Sequence, residues 1–188
     1  MPSLENIPLS WDALDQMNPP DDPAFVNREV ECAALGSLIL DNTLIDKLRD
    51  LVPRFILDHH PDLDDGRCLM AIRPHAALLA TILAMNERGV GVDLTTLTER
   101  LNATKRLTNC GGVVYLAGLE DGIFALGQFP DYVRILLKKW RNRVLYWGLR
   151  AAARTARSDA DAALRMIHED ALNPLTMLKQ FQNKTNPA

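Results

Sequence analysis

One uninterrupted helical pattern limits what this chain can fold into more than any other feature of its sequence. The pattern runs from Asp131 to about Arg157 without a proline, and at about 1.5 Å per residue it would span roughly 40 Å. No segment shows, over a useful length, the apolar–polar alternation with a period of two that indicates a β-strand. The sequence therefore predicts an all-α fold built around one long helix.

The long helix carries a narrow apolar stripe. On a helical wheel its members fall within about 40° of Val133 on either side, and they are Val133, Leu137, Trp140, Val144, Trp147 and Ala151. Two tryptophans give a large apolar area, and aromatic side chains are favoured in interface cores. The stripe residues other than Ala151, with Ile167 from the next helix, are therefore predicted to form a subunit interface. Ordinary packing within one chain is the alternative.

Basic residues flank this stripe, and residues 132–158 contain no acid although the whole chain has a net charge of -3. We interpret them as a solvated rim around a protein interface, because long basic stems also shield apolar surface. Attraction to an acidic partner and phosphate binding by the 134–157 helix are the two alternatives. Arg134 begins the series, and the predicted rim comprises Lys138, Lys139, Arg141, Arg143, Arg150, Arg154 and Arg157.

Shorter amphipathic segments surround the long one. Prolines and acids in residues 1–26 predict a flexible leader, followed by a helical head over 27–128, a hairpin of two helices over 129–182 and a tail over 183–188. Helix starts are predicted at Asn27, Thr43, Pro74, Asp93, Val113 and Ser158, with an interruption at Pro174.

The cysteines exclude some classes of protein. Cys32, Cys68 and Cys110 are odd in number and form no CxxC motif, so a disulfide framework or cysteine-based zinc site is not expected. Reduced thiols suggest a cytoplasmic protein. Residues 1–20 lack the basic start and apolar run of a signal peptide, and no stretch reaches the roughly 18 apolar residues of a membrane span.

Several motifs occur in an order that resembles a known family. Residues 27–42 read NREVECAALGSLILDN, with Glu29, Glu31, Ala33, Leu35, Gly36, Ser37, Leu38 and Asp41 at the matching positions. Further matches are Pro74-His75, Glu87-Arg88-Gly89, Asp93, Leu94, Thr96, Leu97, Gly111, Gly112, Tyr115, Leu116, Leu119, Tyr132 and Ile135. Together they cover about 27–149 and resemble the N-terminal domain of DnaB-type replicative DNA helicases.

The resemblance implies a helical head followed by a hairpin that pairs two subunits, with three pairs forming a collar to which DnaG-type primase docks. The family's motor domain is not matched, because the chain has no GxxxxGK[ST] phosphate loop. We therefore expect a non-catalytic oligomerisation and docking module acting in DNA replication. It would form a dimer or trimer of dimers, use no cofactor, have no catalytic residue and contact DNA only weakly or indirectly.

Residues 58–75 offer the one enzymatic alternative, a metal-dependent hydrolase. The run DHHPDLDD at 58–65, with Cys68 and His75 nearby, contains possible metal ligands. Its spacing fits neither an HExxH motif nor an EF-hand loop, which favours a polar surface insertion that binds no metal. His75 is interpreted as structural, with a ring nitrogen bonded to a local carbonyl.

Overall fold

The computed structural model describes residues 22–58, 67–121 and 126–185. These residues form helices joined by turns, which confirms the all-α prediction. The α-helices are α1 (Arg28–Leu40), α2 (Thr43–Leu51), α3 (Arg54–Leu57), α4 (Arg73–Glu87), α5 (Leu94–Ala103), α6 (Gly112–Asp121), α7 (Phe129–Thr155), α8 (Ala160–Met166) and α9 (Asn173–Thr185). Across the described ranges, no helix is both long enough and apolar enough to cross a membrane.

The helix starts follow the capping chemistry of the sequence. The Asn27 side chain accepts a hydrogen bond from Val30 N at 3.1 Å at the start of α1. At the start of α5, Asp93 and Thr96 form a reciprocal capping box, in which Asp93 Oδ1 accepts from Thr96 N at 2.8 Å. Both caps were predicted and both are confirmed. Such side chains satisfy backbone N–H groups that have no partner within the helix.

The core of the head forms around α1. This helix contacts α2, α4, α6 and α7, and Leu35 and Leu38 on it are fully buried. The first half of α7 lies against α1 and α2, where Phe129 and Trp140 are buried. The long helix is therefore part of the head over its first four turns and does not leave the head at its start.

The hairpin consists of α7 and the returning segment α8–α9, which is helical through Pro174 rather than interrupted there. A π-helical turn, Ile167–Leu172, joins α8 to α9, and Asn173 N–H donates to His168 O across it. Proline has no N–H, and its ring would clash with the carbonyl four residues earlier in an α-helix. The wider turn directly before Pro174 accommodates that ring without ending the helix.

Beyond Val144, the hairpin is packed through small residues. The buried positions between 145 and 172 are Gly148, Ala152, Ala163 and Ala171. A Cβ added at Gly148 would lie 2.8 Å from the Ala171 Cβ and 3.1 Å from its backbone N. The two arms thus approach closely, and the far end of the hairpin, residues 145–172, buries little more than methyl groups.

Residues 22–26, which we predicted as the end of a flexible leader, lie against α7. The Phe25 and Tyr146 ring centroids are 5.1 Å apart, and Asn142 Nδ2 donates to Ala24 O at 3.0 Å. The contact places these residues with the folded part of the chain. The prediction for the rest of the leader concerns residues outside the described ranges.

The close approach at Gly148 predicts opposite outcomes for two glycine substitutions. Gly148→Ala should lower the free energy of unfolding by about 1–3 kcal/mol, because the added methyl group overpacks the crossing with Ala171. Gly118→Ala should raise it by about 0.5–1 kcal/mol, since Gly118 is helical, exposed and has open space around its Cα. Urea denaturation of both variants tests this, and stabilisation by Gly148→Ala would contradict the proposed close packing.

Candidate functional site

Four of the six predicted interface residues are covered by the chain itself. Val133, Leu137, Trp140 and Val144 are all buried in the core of the head. Trp140 Nε1 also donates to Arg67 O at 2.6 Å, and its ring is 6.1 Å from the Phe55 ring. The argument that a second subunit must cover the stripe is therefore wrong for these four residues. It assumed a hairpin that projects along its whole length, whereas α7 lies on the head.

The remaining two predicted interface residues, Trp147 and Ile167, are half-buried. The guanidinium of Arg150 lies 5.3 Å above the Trp147 ring, a favourable cation–π arrangement. A cavity of about 260 Å³ opens beside this tryptophan; its lining is Arg67, Val144, Trp147, Gly148, Ala151 and Asp170. Trp147 therefore lies where the core of the head ends and the far end of the hairpin begins.

The far end of the hairpin exposes large apolar side chains. The relative exposures are 38% for Leu145, 44% for Leu149, 65% for Leu164 and 47% for Leu172; we call these four residues the hairpin leucines. Leu145 and Leu149 are one turn apart on α7, outside the predicted stripe. Sequence reasoning missed them because the stripe was assigned to the interface, although their i, i+4 spacing among basic residues was a visible signal.

The residues of the predicted basic rim differ in how far they are buried. Lys138, Arg141, Arg154 and Arg157 are exposed on α7 and just after it. The ammonium group of Lys139 bonds to Pro23 O. Arg143, by contrast, is almost fully buried, so its assignment to a solvated rim is wrong.

Arg143 is buried because it holds non-helical backbone in place. Its guanidinium donates to Phe25 O at 2.8 Å, to Cys68 O at 2.7 Å and to Leu69 O at 2.8 Å. Burial lowers the pKa of Arg143 to about 10, which leaves the side chain charged at neutral pH. Arginine suits this position because its planar group presents several donors at once.

Glu31, on α1, holds the same segment through its next residues. Its carboxylate accepts from Ala71 N at 2.8 Å, from Ile72 N at 3.2 Å and, through Oε2, from His75 Nδ1 at 2.8 Å. His75 is therefore structural, as predicted, but its partner is a buried carboxylate 44 residues away rather than a local carbonyl. Glu31 stood out in the sequence only as a matching position of the family motif, and no local pattern identified this pairing.

His75 continues the cluster to α6. Its Nε2 bonds to the Tyr115 hydroxyl, and the two rings are stacked at 6.0 Å. Burial lowers the pKa of His75, but hydrogen bonds with Cys32 and Glu31, together with the Glu31 charge, raise it by more, so the pKa lies above its usual value. For Tyr115, burial and the contact with Cys32 raise the pKa to about 12.

The predicted polar insertion lies mostly outside the described residues. Of the run 58–65, only Asp58 is described, and it is exposed. Within the described ranges, no group of three or more histidine, cysteine, aspartate or glutamate side chains is arranged to hold a metal ion.

The chain folds as an all-helical head whose last long helix turns back as a hairpin, and part of it is similar to a known family. Residues 71–138 match the DnaB-like helicase N-terminal domain. The DnaB replicative helicases of Rhodothermus marinus and Geobacillus stearothermophilus are 28% and 31% identical over 118 and 112 residues. These alignments cover 62% and 59% of this chain but only 11% and 22% of the helicases.

Solved structures agree on the fold. The N-terminal domain of DnaB helicase from Mycobacterium tuberculosis superposes with a TM-score of 0.65 at 20% identity, over 78% of this chain and 99% of that domain. A DnaB-like replicative helicase, described with its interactions with primase, gives a TM-score of 0.56 at 16% identity, over 83% of this chain and 35% of that one. The resemblance to the DnaB N-terminal domain is confirmed.

The buried position of Arg143 predicts a large loss of stability on substitution. Arg143→Met keeps the apolar stem but leaves three carbonyls without donors, and it should lower the free energy of unfolding by about 3–5 kcal/mol. Arg141→Met removes an exposed charge from the same turn and should change the free energy of unfolding by no more than about 0.5 kcal/mol. Urea denaturation measures both, and equal effects would show that Arg143 does not organise the segment.

The partners of His75 predict the direction of its titration. In the folded chain its pKa should lie above the value of about 6.5 for an unperturbed histidine. The contribution of its protonation to stability is then complete below that pH and is lost as the pH rises through the folded pKa. An NMR titration of the imidazole, in folded and in urea-unfolded protein, measures the shift. A lower midpoint in the folded chain would show that the histidine is held neutral.

Proposed function

We propose that this chain acts in DNA replication as a non-catalytic oligomerisation and docking module of a replicative DNA helicase. One observation supports this most strongly. The far end of the hairpin buries glycine and alanine between its arms, while the hairpin leucines face solvent. A helical pair that is stable on its own would have the opposite distribution, with its large apolar side chains inside.

The energetic argument favours self-association. Fully burying one leucine is worth about 1.5–3 kcal/mol, and apolar surface left exposed in this way marks interaction sites. A second hairpin related by two-fold symmetry would present the same leucines in return, so each pair of arms would cover the other. Trp147 and Ile167, half-buried beside this region, form the edge of the proposed interface. A dimer, or a trimer of such dimers, is the assembly that we propose.

The exposed residues of the basic rim are also part of the proposed interface. Lys138, Arg141, Arg154 and Arg157 are exposed along α7 and its end. Charges at the rim of an interface contribute little affinity but influence orientation and the choice of partner. A primase-type replisome protein is the partner we propose, since a solved helicase of the same fold is described with its interactions with primase. DNA contact would be weak or indirect.

The proposal places ATP hydrolysis outside this chain. The sequence has no phosphate loop, and a phosphate loop's backbone amides and lysine are needed to bind the nucleotide. The chain also spans less than a quarter of the helicases that it matches. Cytoplasmic placement is part of the proposal and rests on three cysteines that are free thiols.

Self-association through the hairpin leucines can be tested by light scattering over a concentration series. Leu145→Glu and Leu164→Glu should shift the molar mass toward the monomer, because each places a charge in an apolar interface. Val114→Glu on the head is the matched control, since Val114 is 88% exposed and lies outside the hairpin. A parent chain that is monomeric at every concentration, or a control that dissociates equally, would contradict the proposed interface.

A further inference from the structure

Cys32 lies in a cluster that the assembly proposal does not use. It is on the second turn of α1 and is partly exposed. Its Sγ is 3.6 Å from the Tyr115 hydroxyl and 3.9 Å from His75 Nε2. Two helices, α4 and α6, thus bring one polar side chain each to a sulfur on α1.

The orientation of His75 in this cluster is fixed. Glu31 already accepts two backbone N–H groups, from Ala71 and Ile72, and its Oε2 lies 2.8 Å from His75 Nδ1. The carboxylate oxygens act as acceptors in these contacts, so Nδ1 carries its hydrogen toward Glu31. The opposite nitrogen, Nε2, then points toward the Tyr115 hydroxyl and the Cys32 sulfur.

The remaining hydrogens of the cluster converge on sulfur. With Nε2 protonated, His75 donates to the Tyr115 hydroxyl oxygen, which leaves the hydroxyl hydrogen free to turn toward Cys32 Sγ. The pKa of Tyr115, raised to about 12, keeps that hydrogen in place at neutral pH. A sulfur that faces hydrogen-bond donors is stabilised as a thiolate.

Charge acts in the same direction. Burial raises the pKa of the Cys32 thiol, but the hydrogen bonds from His75 and Tyr115 and the charges of His75 and Arg28 lower it by more, so it lies below its usual value. Cys110 gives the contrast within one chain. It is fully buried, and burial raises the pKa of its thiol.

We propose that Cys32 is a modification site, a nucleophilic thiolate that forms mixed disulfides with low-molecular-weight disulfides. The Cys32 thiolate attacks one sulfur of the small disulfide, a new S–S bond forms, and the original S–S bond breaks. The second half leaves as a thiolate and takes a proton from water. His75 and Tyr115 are positioning residues in this exchange, and Glu31 orients His75. The site is separate from the hairpin leucines and does not depend on self-association.

The test is a pH series of iodoacetamide alkylation on the full chain, resolved by peptide mass spectrometry, with the urea-unfolded chain as the reference. Alkylation reports the thiolate fraction, and an ordinary thiol is only about 1% thiolate at pH 6.5. The readout is the alkylation rate of Cys32 at pH 6.5 divided by its alkylation rate at high pH. This ratio should be at least about fivefold greater in the folded chain than in the unfolded chain. Cys110 should be protected in the folded chain, and oxidised glutathione should add at Cys32 before the other two cysteines.

Two variants show whether the cluster causes the reactivity. Tyr115→Phe keeps the ring and removes the donor, and it should move the midpoint of the Cys32 pH profile toward that of the unfolded chain. His75→Asn should do so more strongly; if that variant fails to fold, Tyr115→Phe carries the test alone. A folded-chain midpoint at or above the unfolded one, an unchanged midpoint in Tyr115→Phe, or equal glutathione addition at Cys110 would each overturn the proposal.

Discussion

Residues 67–72 belong to no helix, and the rest of the structure is arranged around the side chains that hydrogen-bond to their backbone groups. Buried backbone groups without partners cost about as much as lost hydrogen bonds. Here Trp140 and Arg143 from α7 donate to the carbonyls of residues 67–69, and Glu31 from α1 accepts the N–H groups of residues 71–72. One irregular segment is thereby fixed between the first and the longest helix.

This arrangement also balances charge in the core. Arg143 reaches the segment from α7 and Glu31 reaches it from α1, and the Glu31 charge favours the protonated form of Arg143 against burial. A buried charge without a partner would cost several kcal/mol. Each of these two charges therefore offsets part of the cost of burying the other. Trp140 and Arg143 are less than one turn apart on α7, and that short stretch therefore holds the long helix to the head.

How much of this could be predicted from the sequence depends on the range of each interaction. The caps at Asn27 and Asp93 involve residues three positions apart, and the predictions were confirmed. The pairing of Glu31 with His75 joins residues 44 positions apart, and no local pattern specifies it. Arg143 was misassigned for a related reason: on a helical wheel it flanks the apolar stripe as Arg150 does, and only the fold shows which of the two meets unpaired carbonyls.

The same contrast explains the error over the apolar stripe. Periodicity shows that Val133, Trp140 and Val144 are buried, but it cannot show by what, and the head covers them. The hairpin changes character at Gly148, where the arms come too close for large side chains to lie between them. Leucines that cannot fit between the arms are left outside. The tight crossing is therefore the physical reason that Leu145 and Leu149 face solvent, and the firm attachment of α7 to the head fixes the direction in which they point. A surface with that combination, apolar and rigidly oriented by a buried polar cluster, is suited to set the geometry between two copies of the head.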